Sequence, residues 1–267
     1  MFVTRLISGI VLVALALLFI ITGGDLLLGV MLVLSLIGMF ELYRIFDVEK
    51  KLPGILGYLA AVAYYLDLRF KFTGDNMVIM LAFLILLLAV FVFSYPKFHS
   101  HQIMAVFFGL FYVGVMLSFL YQTRMLPKGQ FIVWLIFLCS WGCDTCAYCV
   151  GVLFGKHKMS PILSPKKSVE GAVGGVVGAC LLTAIYCAVV SNVFKVDDFA
   201  ILPLVCISAV GALISMVGDL AASAIKRNFE IKDYGKLIPG HGGVLDRFDS
   251  IIITAPIIYF LANYFYV

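Results

Sequence analysis

Acidic and basic side chains are concentrated in residues 219–249 of a chain that is otherwise strongly apolar. Carboxylate oxygens suit Mg²⁺, particularly where substrate phosphates complete the coordination of the ion. We therefore predict that Asp219 and Asp246 bind a magnesium ion, and the presence of a second cation stays open. Because lysine and arginine side chains neutralise phosphate, the segment predicts a site for a metal–nucleotide complex.

Asp219 also begins a polar stripe on a predicted helix. Ser223, Lys226 and Arg227 follow it at spacings of four, seven and eight residues, so the four side chains share one helical face. A carboxylate, a hydroxyl and two cations on one face suit a metal ion bound to phosphate. The same segment contributes further candidate catalytic residues, which are Lys232, Asp233, His241, Arg247 and Asp249.

A glycine-rich turn lies between the two predicted metal ligands. Because glycine has no Cβ, the backbone N–H groups of such a turn can approach a phosphate closely. The residues that we assign to nucleotide binding in this turn are Pro239, Gly240, Gly242 and Gly243. The alternative is a charged, solvated loop that binds no ligand.

Asp144 lies within an apolar run, where an isolated carboxylate costs at least about 2.5–3.5 kcal/mol. Tyr148 and Gly151 follow it at helical spacing and share its face. The cost indicates that Asp144 has a partner or faces an aqueous cavity, and we predict that it is catalytic. A structural aspartate held by hydrogen bonds is the alternative.

The polar loop 154–170 ends in a basic stretch before another apolar run. Ser168 is placed to cap the next helix, because a serine side chain accepts a hydrogen bond from the first backbone N–H groups of a helix. A helix N-terminus beside Lys166 and Lys167 favours anion binding. We predict that Lys167 is catalytic and that Lys166 and Ser168 bind the nucleotide. Lysines that only determine membrane orientation are the alternative.

Apolar helices must position these residues. Hydrophobic residues make up 63% of the chain and charged residues 13%, whereas soluble domains average about 45–50% and about 25%. Continuous rather than alternating apolar runs exclude an outer-membrane barrel. About twenty apolar residues cross a bilayer as a helix, which predicts an all-α, polytopic membrane protein. The nine predicted spans are 4–22, 26–46, 53–70, 76–94, 101–121, 130–153, 171–191, 200–220 and 250–266.

The distribution of basic residues predicts the orientation. Most of the 19 lysine and arginine residues fall on the N-terminal side of the predicted membrane, and loops rich in these residues are usually cytoplasmic. The N-terminus is therefore predicted in the cytoplasm. Loops 154–170 and 221–249 would share that face of the cell inner membrane, where one composite site can form.

The chain is expected to divide by function near residue 130. Residues 1–129 would form a transmembrane scaffold of about five spans, and residues 130–267 a catalytic transmembrane region with about four. Within the scaffold, Glu41 and Arg44 are three residues apart and are expected to pair with each other.

Small residues in the later spans predict close helix packing. Glycines recur four residues apart, which permits close approach within the chain or in a homodimer. These glycines are Gly151 and Gly155, Gly171 and Gly175, and Gly174 and Gly178. The cysteines also fall in apolar segments, and we interpret Cys143, Cys146 and Cys149 as packing residues rather than metal ligands.

These blocks together resemble the phosphatidate cytidylyltransferase family, also called CDP-diacylglycerol synthases. The long signature of that family is matched by Ser223-x-Ile225-Lys226-Arg227-x4-Lys232-Asp233-x-Gly235-x2-Ile238-Pro239-x-His241-Gly242-Gly243-Val244-x-Asp246-Arg247-Phe248-Asp249. Other recurring blocks are similar to Asp144-Thr145-x-Ala147-Tyr148-x2-Gly151 and to Ser164-Pro165-Lys166-Lys167-Ser168-x-Glu170-Gly171. Ser168 stands where threonine is common. The resemblance covers residues 130–267 and adds little about residues 1–129.

The resemblance implies that CTP and phosphatidic acid react to give CDP-diacylglycerol and diphosphate, with Mg²⁺, for phospholipid synthesis. The expected partners are these two substrates and the lipid bilayer, with no nucleic acid. Two alternatives stay open. A polyprenol or lipid kinase would transfer the γ-phosphate, and a transporter of cations or phosphate compounds would use Asp144 and Asp219 within the membrane.

Overall fold

The computed structural model describes residues 2–195, 200–238, 240 and 242–266. Its helices are α1 (Phe2–Thr22), α2 (Gly24–Ile45), α3 (Leu52–Phe70), α4 (Met77–Phe93), α5 (Ser100–Gly109), α6 (Met116–Met125), α7 (Gly129–Phe137), α8 (Cys143–Phe154), α9 (Val169–Phe194), α10 (Ile201–Asn228) and α11 (Leu245–Tyr266). π-helical turns at Leu110–Val115 and Leu138–Gly142 join α5 to α6 and α7 to α8, so each pair forms one long helical rod.

Within the described part of the chain, six helical stretches are long and apolar enough to cross a membrane. They are Gly24–Ile45, Ser100–Met125, Gly129–Phe154, Val169–Phe194, Ile201–Asn228 and Leu245–Phe265. Two shorter apolar helices are Gly9–Thr22 and Met77–Phe93. The predicted helical, multi-pass membrane protein is confirmed at this level. Helices occur at each predicted position, but nine spans and a cytoplasmic N-terminus stay predictions.

The chain divides into two compact units. The first unit consists of Met1–Tyr121 and Asp233–Arg247, and the second of Gln122–Lys232 and Phe248–Val267. The predicted functional division near residue 130 is a separate matter and stays a prediction, because packing and function need not divide a chain at the same residue.

Tyr43 on α2 organises the core of the first unit. Its ring is fully buried, and its hydroxyl donates a hydrogen bond of 2.7 Å to the carbonyl of Val106 on α5. A Cβ at Gly57 or Gly109 would collide with this ring. Glycine at these two positions therefore lets α3 and α5 pack closely on α2.

Helices α8 and α9 pack closely in the second unit. A Cβ at Gly174 would lie 2.5 Å from the side chain of Val150, and one at Gly178 would lie 2.5 Å from Cys146. The predicted close helix approach is thus confirmed within the chain. The seven cysteines all lie in the described residues and are free thiols, and Cys146 packs against α9 as predicted.

A short β-hairpin interrupts the helices of the second unit. Strand β1 (Lys158–Ser160) pairs with β2 (Ser164–Ser168) in antiparallel orientation. The all-α prediction did not include this hairpin, because Pro165, in β2, is unfavourable in most strands. Both strands of a two-stranded ribbon are edge strands, so β2 tolerates this proline. The hairpin carries the basic residues of loop 154–170.

Candidate active site

A cavity of about 530 Å³ lies in the second unit, between α8, the β-hairpin, α9 and α10. Its volume is within the range of about 300–1,000 Å³ typical of ligand pockets. The polar residues that line it are Asp144, Tyr148, Lys158, Ser164, Lys166, Lys167, Ser168 and Asp219. The structure therefore brings together the aspartate of α8, the basic hairpin and the first residue of the polar stripe on α10.

Lys167 and Asp219 form an ion pair in this cavity. The ammonium group of Lys167 donates a short hydrogen bond to Oδ2 of Asp219. Their side chains are 26% and 25% exposed, so both groups remain in contact with solvent. A bound ligand can therefore replace Asp219 as the partner of Lys167, or Lys167 as the partner of Asp219, without leaving an isolated charge buried.

Further carboxylates surround this pair within the second unit. Asp249 on α11 interacts electrostatically with Asp219, with Lys226 and with Asp144. Helices α10 and α11 approach closely here, since a Cβ at Gly218 would lie 2.9 Å from the carbonyl oxygen of Asp249. Three carboxylates thus concentrate negative charge that a lysine or a metal cation can offset.

Two hydrogen-bonding side chains hold the hairpin at the start of α9. Ser168 Oγ accepts a bond of 3.1 Å from the backbone N–H of Gly171, which confirms the predicted cap. Glu170 accepts backbone bonds from Lys156 at 3.1 Å and from His157 at 3.2 Å. Oε1 of Glu170 also lies 2.6 Å from Nδ1 of His157. Both ends of the hairpin are therefore fixed beside the cavity.

The segment 233–247 has its own hydrogen-bond network in the first unit. Oδ2 of Asp246 accepts backbone bonds from Tyr234 at 2.8 Å and from Gly243 at 3.0 Å. The N–H of Gly243, predicted to approach a phosphate, is thus engaged by Asp246. Gly240 and Gly242 have φ of 77° and 88°, a conformation that favours glycine.

Glu41 and Arg44 of α2 also contact this segment. Glu41 is 4% exposed, and its carboxylate accepts backbone bonds from Val244 at 3.1 Å and from Leu245 at 2.9 Å. The guanidinium of Arg44 donates to the carbonyl oxygen of Tyr234. The expectation of a simple Glu41–Arg44 pair is therefore incomplete, because both side chains bind a segment about 200 residues away.

The remaining predicted residues differ in exposure. On α10, Ser223 and Lys226 are half-buried and Arg227 is exposed. Lys232 and Asp233 are exposed, and Arg247 is half-buried. Pro239 and His241 lie outside the described residues. Of the cavity residues, Lys158 was missed as a candidate, although its place among the lysines of loop 154–170 was a usable signal.

The two predicted metal ligands belong to different units of the chain. Asp219 belongs to the second unit and Asp246 to the first, and a magnesium ion shared between them stays a prediction. In the described ranges, no group of three or more His, Cys, Asp or Glu side chains is arranged to hold a metal ion. Carboxylates together with substrate phosphates are the donor set that the prediction requires.

Known proteins resemble this chain over nearly its whole length. The model of the cytidylyltransferase family matches residues 3–265. A phosphatidate cytidylyltransferase of Bacillus subtilis (strain 168) is 32% identical over 268 residues, covering 98% of this chain and 97% of that protein. One of Staphylococcus saprophyticus is 33% identical over 239 residues, covering 88% and 89%. One of Staphylococcus haemolyticus is 31% identical over 261 residues, covering 95% and 96%.

Proposed function

This chain belongs to the cytidylyltransferase family, and we propose that it transfers CMP from CTP to phosphatidic acid. The products are CDP-diacylglycerol, used in phospholipid synthesis, and diphosphate. One structural observation carries the proposal. Lys167 and Asp219 meet in a cavity of about 530 Å³ whose lining combines cationic, anionic and apolar side chains. That lining suits an anionic nucleotide and a phospholipid together.

The protein contributes mainly position and charge. A phosphatidate oxygen attacks the α-phosphorus of CTP in line, and diphosphate leaves, so the substrate itself supplies the nucleophile. Phosphoryl transfers of this kind depend on positioning and electrostatic stabilisation. Lys158, Lys166 and Lys167 reach the cavity from the hairpin and α9 side. We assign them to the phosphate oxygens, and we assign Lys226, Arg227, Lys232 and Arg247 to the same task.

The donor set fits Mg²⁺. This ion is commonly held by one or two carboxylates together with substrate phosphates, and Asp219 and Asp144 both line the cavity. We propose Asp219 and Asp246 as the metal ligands, with Asp144 and Asp249 as secondary candidates. When bound, the ion would neutralise charge on the reacting phosphates. Lys167 would then exchange Asp219 for a phosphate oxygen.

We also propose the membrane arrangement in finer detail. Nine spans, a cytoplasmic N-terminus and a site at the cytoplasmic face of the cell inner membrane agree with the distribution of basic residues. The basic hairpin and the basic C-terminal end of α10 would then face the cytoplasm. Reporter fusions at the two termini test this orientation. A homodimer stays a prediction, which the mass of the purified protein in detergent would test.

The decisive experiment follows the label of CTP into lipid. Purified protein is given phosphatidic acid, Mg²⁺ and CTP that is labelled in the α- or the γ-phosphate. We expect the α-label to enter the lipid fraction and the γ-label to appear in diphosphate. Appearance of the γ-label in lipid would identify a kinase. Label that crosses a vesicle membrane without entering lipid would identify a transporter.

A further inference from the structure

We propose that Glu41 is a positioning residue for CMP transfer, because its carboxylate holds the 233–247 segment in the conformation that presents Asp246. This inference rests on the proposed function. It gives a role in the reaction to a residue of the first 129 positions, which the sequence interpretation treated as scaffold.

The first observation is the position of the Glu41 carboxylate. The two oxygens accept hydrogen bonds from the backbone N–H groups of Val244 and Leu245, where α11 begins. The first N–H groups of a helix have no partner within the helix, and negative charge at this end is favourable. Glu41 therefore supplies, from α2, a cap for the helix that carries Asp246 in its first turn.

The second observation is the space that the segment leaves for this carboxylate. A Cβ at Gly235 or at Gly243 would collide with the Glu41 oxygens. Neither glycine has the positive φ that would itself require glycine. Residues larger than glycine are therefore excluded at these two positions, because the Glu41 side chain occupies the volume that a Cβ would take.

The third observation connects Glu41 to Asp246. The carboxylates of Asp246 and Glu41 together accept hydrogen bonds from three consecutive backbone N–H groups. Asp246 accepts from Gly243, and Glu41 accepts from the next two residues. Asp246 also accepts from Tyr234, whose carbonyl oxygen accepts from Arg44. Releasing Glu41 would therefore loosen the turn that fixes the orientation of Asp246.

A purely structural role for Glu41 is the competing explanation, and Asp67 provides a matched control. Asp67 is also a carboxylate of the first unit, is 1% exposed and accepts hydrogen bonds from the backbone N–H and the hydroxyl of Thr73, at 2.8 and 2.7 Å. It holds the turn after α3 rather than the 233–247 segment. Loss of either carboxylate should cost similar stability, but only loss of Glu41 should affect turnover.

The experiment compares Glu41→Gln, Glu41→Asp and Asp67→Asn in the full-length protein in detergent. A glutamine side chain can accept one of the two backbone bonds but presents a donor to the other N–H. Since small misplacements of catalytic groups cost about a hundredfold in rate, we expect Glu41→Gln to lower kcat by about tenfold or more, with a smaller change in KM for CTP. Glu41→Asp keeps the charge with a shorter reach and should fall between Glu41→Gln and the wild type.

Hydrogen–deuterium exchange gives a readout that does not depend on turnover. We expect faster exchange at residues 243–245 in Glu41→Gln, with residues 67–75 unchanged, and the reverse pattern in Asp67→Asn. Arg44→Ala tests the same segment independently of Glu41. Arg44 is exposed, so its loss should not prevent folding. It should accelerate exchange around Tyr234 and lower kcat less than Glu41→Gln does.

Three results would overturn the proposal. They are an unchanged kcat in folded Glu41→Gln, unchanged exchange at residues 243–245, and equal losses of kcat in Glu41→Gln and Asp67→Asn. If the wild-type protein transfers no CMP to lipid, the proposed function fails instead. The exchange measurement would still decide whether Glu41 holds the segment.

Discussion

The two units of this protein hold their carboxylates in different ways. In the second unit, Asp219 is paired with the side chain of Lys167 in a partly exposed cavity. In the first unit, Glu41 and Asp246 are buried and accept hydrogen bonds from backbone N–H groups. Both arrangements satisfy a carboxylate in an apolar protein, but their partners differ in freedom to move.

This difference separates exchangeable acids, whose hydrogen-bond partner a ligand can replace, from fixed acids, whose partner is the backbone. A lysine side chain has several rotatable bonds, so Lys167 can leave Asp219 for a phosphate while the backbone stays in place. A backbone N–H cannot leave its carboxylate unless the chain itself moves. We infer that Asp219 is suited to binding a ligand and that Glu41 is suited to holding a conformation. Asp246 combines a fixed hydrogen-bond network with a predicted metal role.

The largest effect is expected from Asp219→Asn. If Asp219 binds the proposed metal ion, its loss removes several kcal/mol of charge stabilisation. Each 1.36 kcal/mol is a factor of ten in rate, so CMP transfer should fall by at least about a hundredfold. Thermal unfolding should change little, because Asp219 is partly exposed and is paired with the movable side chain of Lys167. Asp47→Asn, at a carboxylate that is 82% exposed, is the control. Near-normal transfer by Asp219→Asn would remove this residue from the metal site.

Lys167→Ala should have the next largest effect. The substitution removes a cation from the proposed phosphate site, and we expect kcat/KM for CTP to fall by about tenfold to a hundredfold, as for other charged hydrogen bonds to ligands. Lys166→Ala is the matched comparison, since Lys166 lines the same cavity but is exposed. Steady-state kinetics at several salt concentrations measure both. Equal effects of the two substitutions would mean that the ion pair with Asp219 has no special role.

Asp246→Ala should differ from Asp219→Asn in its effect on stability. It would leave the N–H groups of Tyr234 and Gly243 without this acceptor, at a cost of about 1–3 kcal/mol for each buried group. The midpoint of thermal unfolding in detergent should therefore fall in Asp246→Ala and stay near the wild-type value in Asp219→Asn. If both variants unfold at the wild-type midpoint, the distinction between fixed and exchangeable acids is wrong.

The smallest expected effect tests the helix cap in the second unit. Ser168→Ala removes the acceptor of the Gly171 N–H, and loss of such a cap costs about 1 kcal/mol. Ser168→Thr keeps the hydroxyl and should lose less. Unfolding midpoints of the two variants give the comparison. A larger loss of transfer than of stability in Ser168→Ala would indicate that the hydroxyl also contacts the nucleotide.

Local patterns predicted much of this structure. Apolar runs located the helices, and Ser168 was correctly predicted as a cap because capping depends on residues that are neighbours in sequence. The polar residues of α8, of the hairpin and of α10 were expected to meet, and Asp144, Lys167 and Asp219 do line one cavity. Their meeting follows from polar groups that an apolar environment forces towards one another.

Features that depend on distant residues were not predictable in the same way. Glu41 and Arg44 have a spacing that is typical of a local helical pair, and nothing in that spacing indicates the 233–247 segment as their partner. The hairpin was missed because strands of three and five residues, one of them containing Pro165, show no clear alternation of polar and apolar residues. The sequence thus indicated which polar side chains lie in apolar segments, where their burial costs free energy, and the structure showed which groups they pair with.

The π-helical turn Leu138–Gly142 changes the direction in which Asp144 points relative to the residues of α7. A π turn closes each hydrogen-bonded ring with one residue more than an α turn, and an α-helix rotates about 100° per residue. A helical wheel drawn without interruption through Gly129–Phe154 therefore misplaces Asp144 by about a quarter of a revolution relative to α7. A homologous chain that lacks one residue here, with an unbroken α-helix, would present the same aspartate in the same direction. Loss of this one residue, together with the π turn, should therefore leave the direction of Asp144 unchanged.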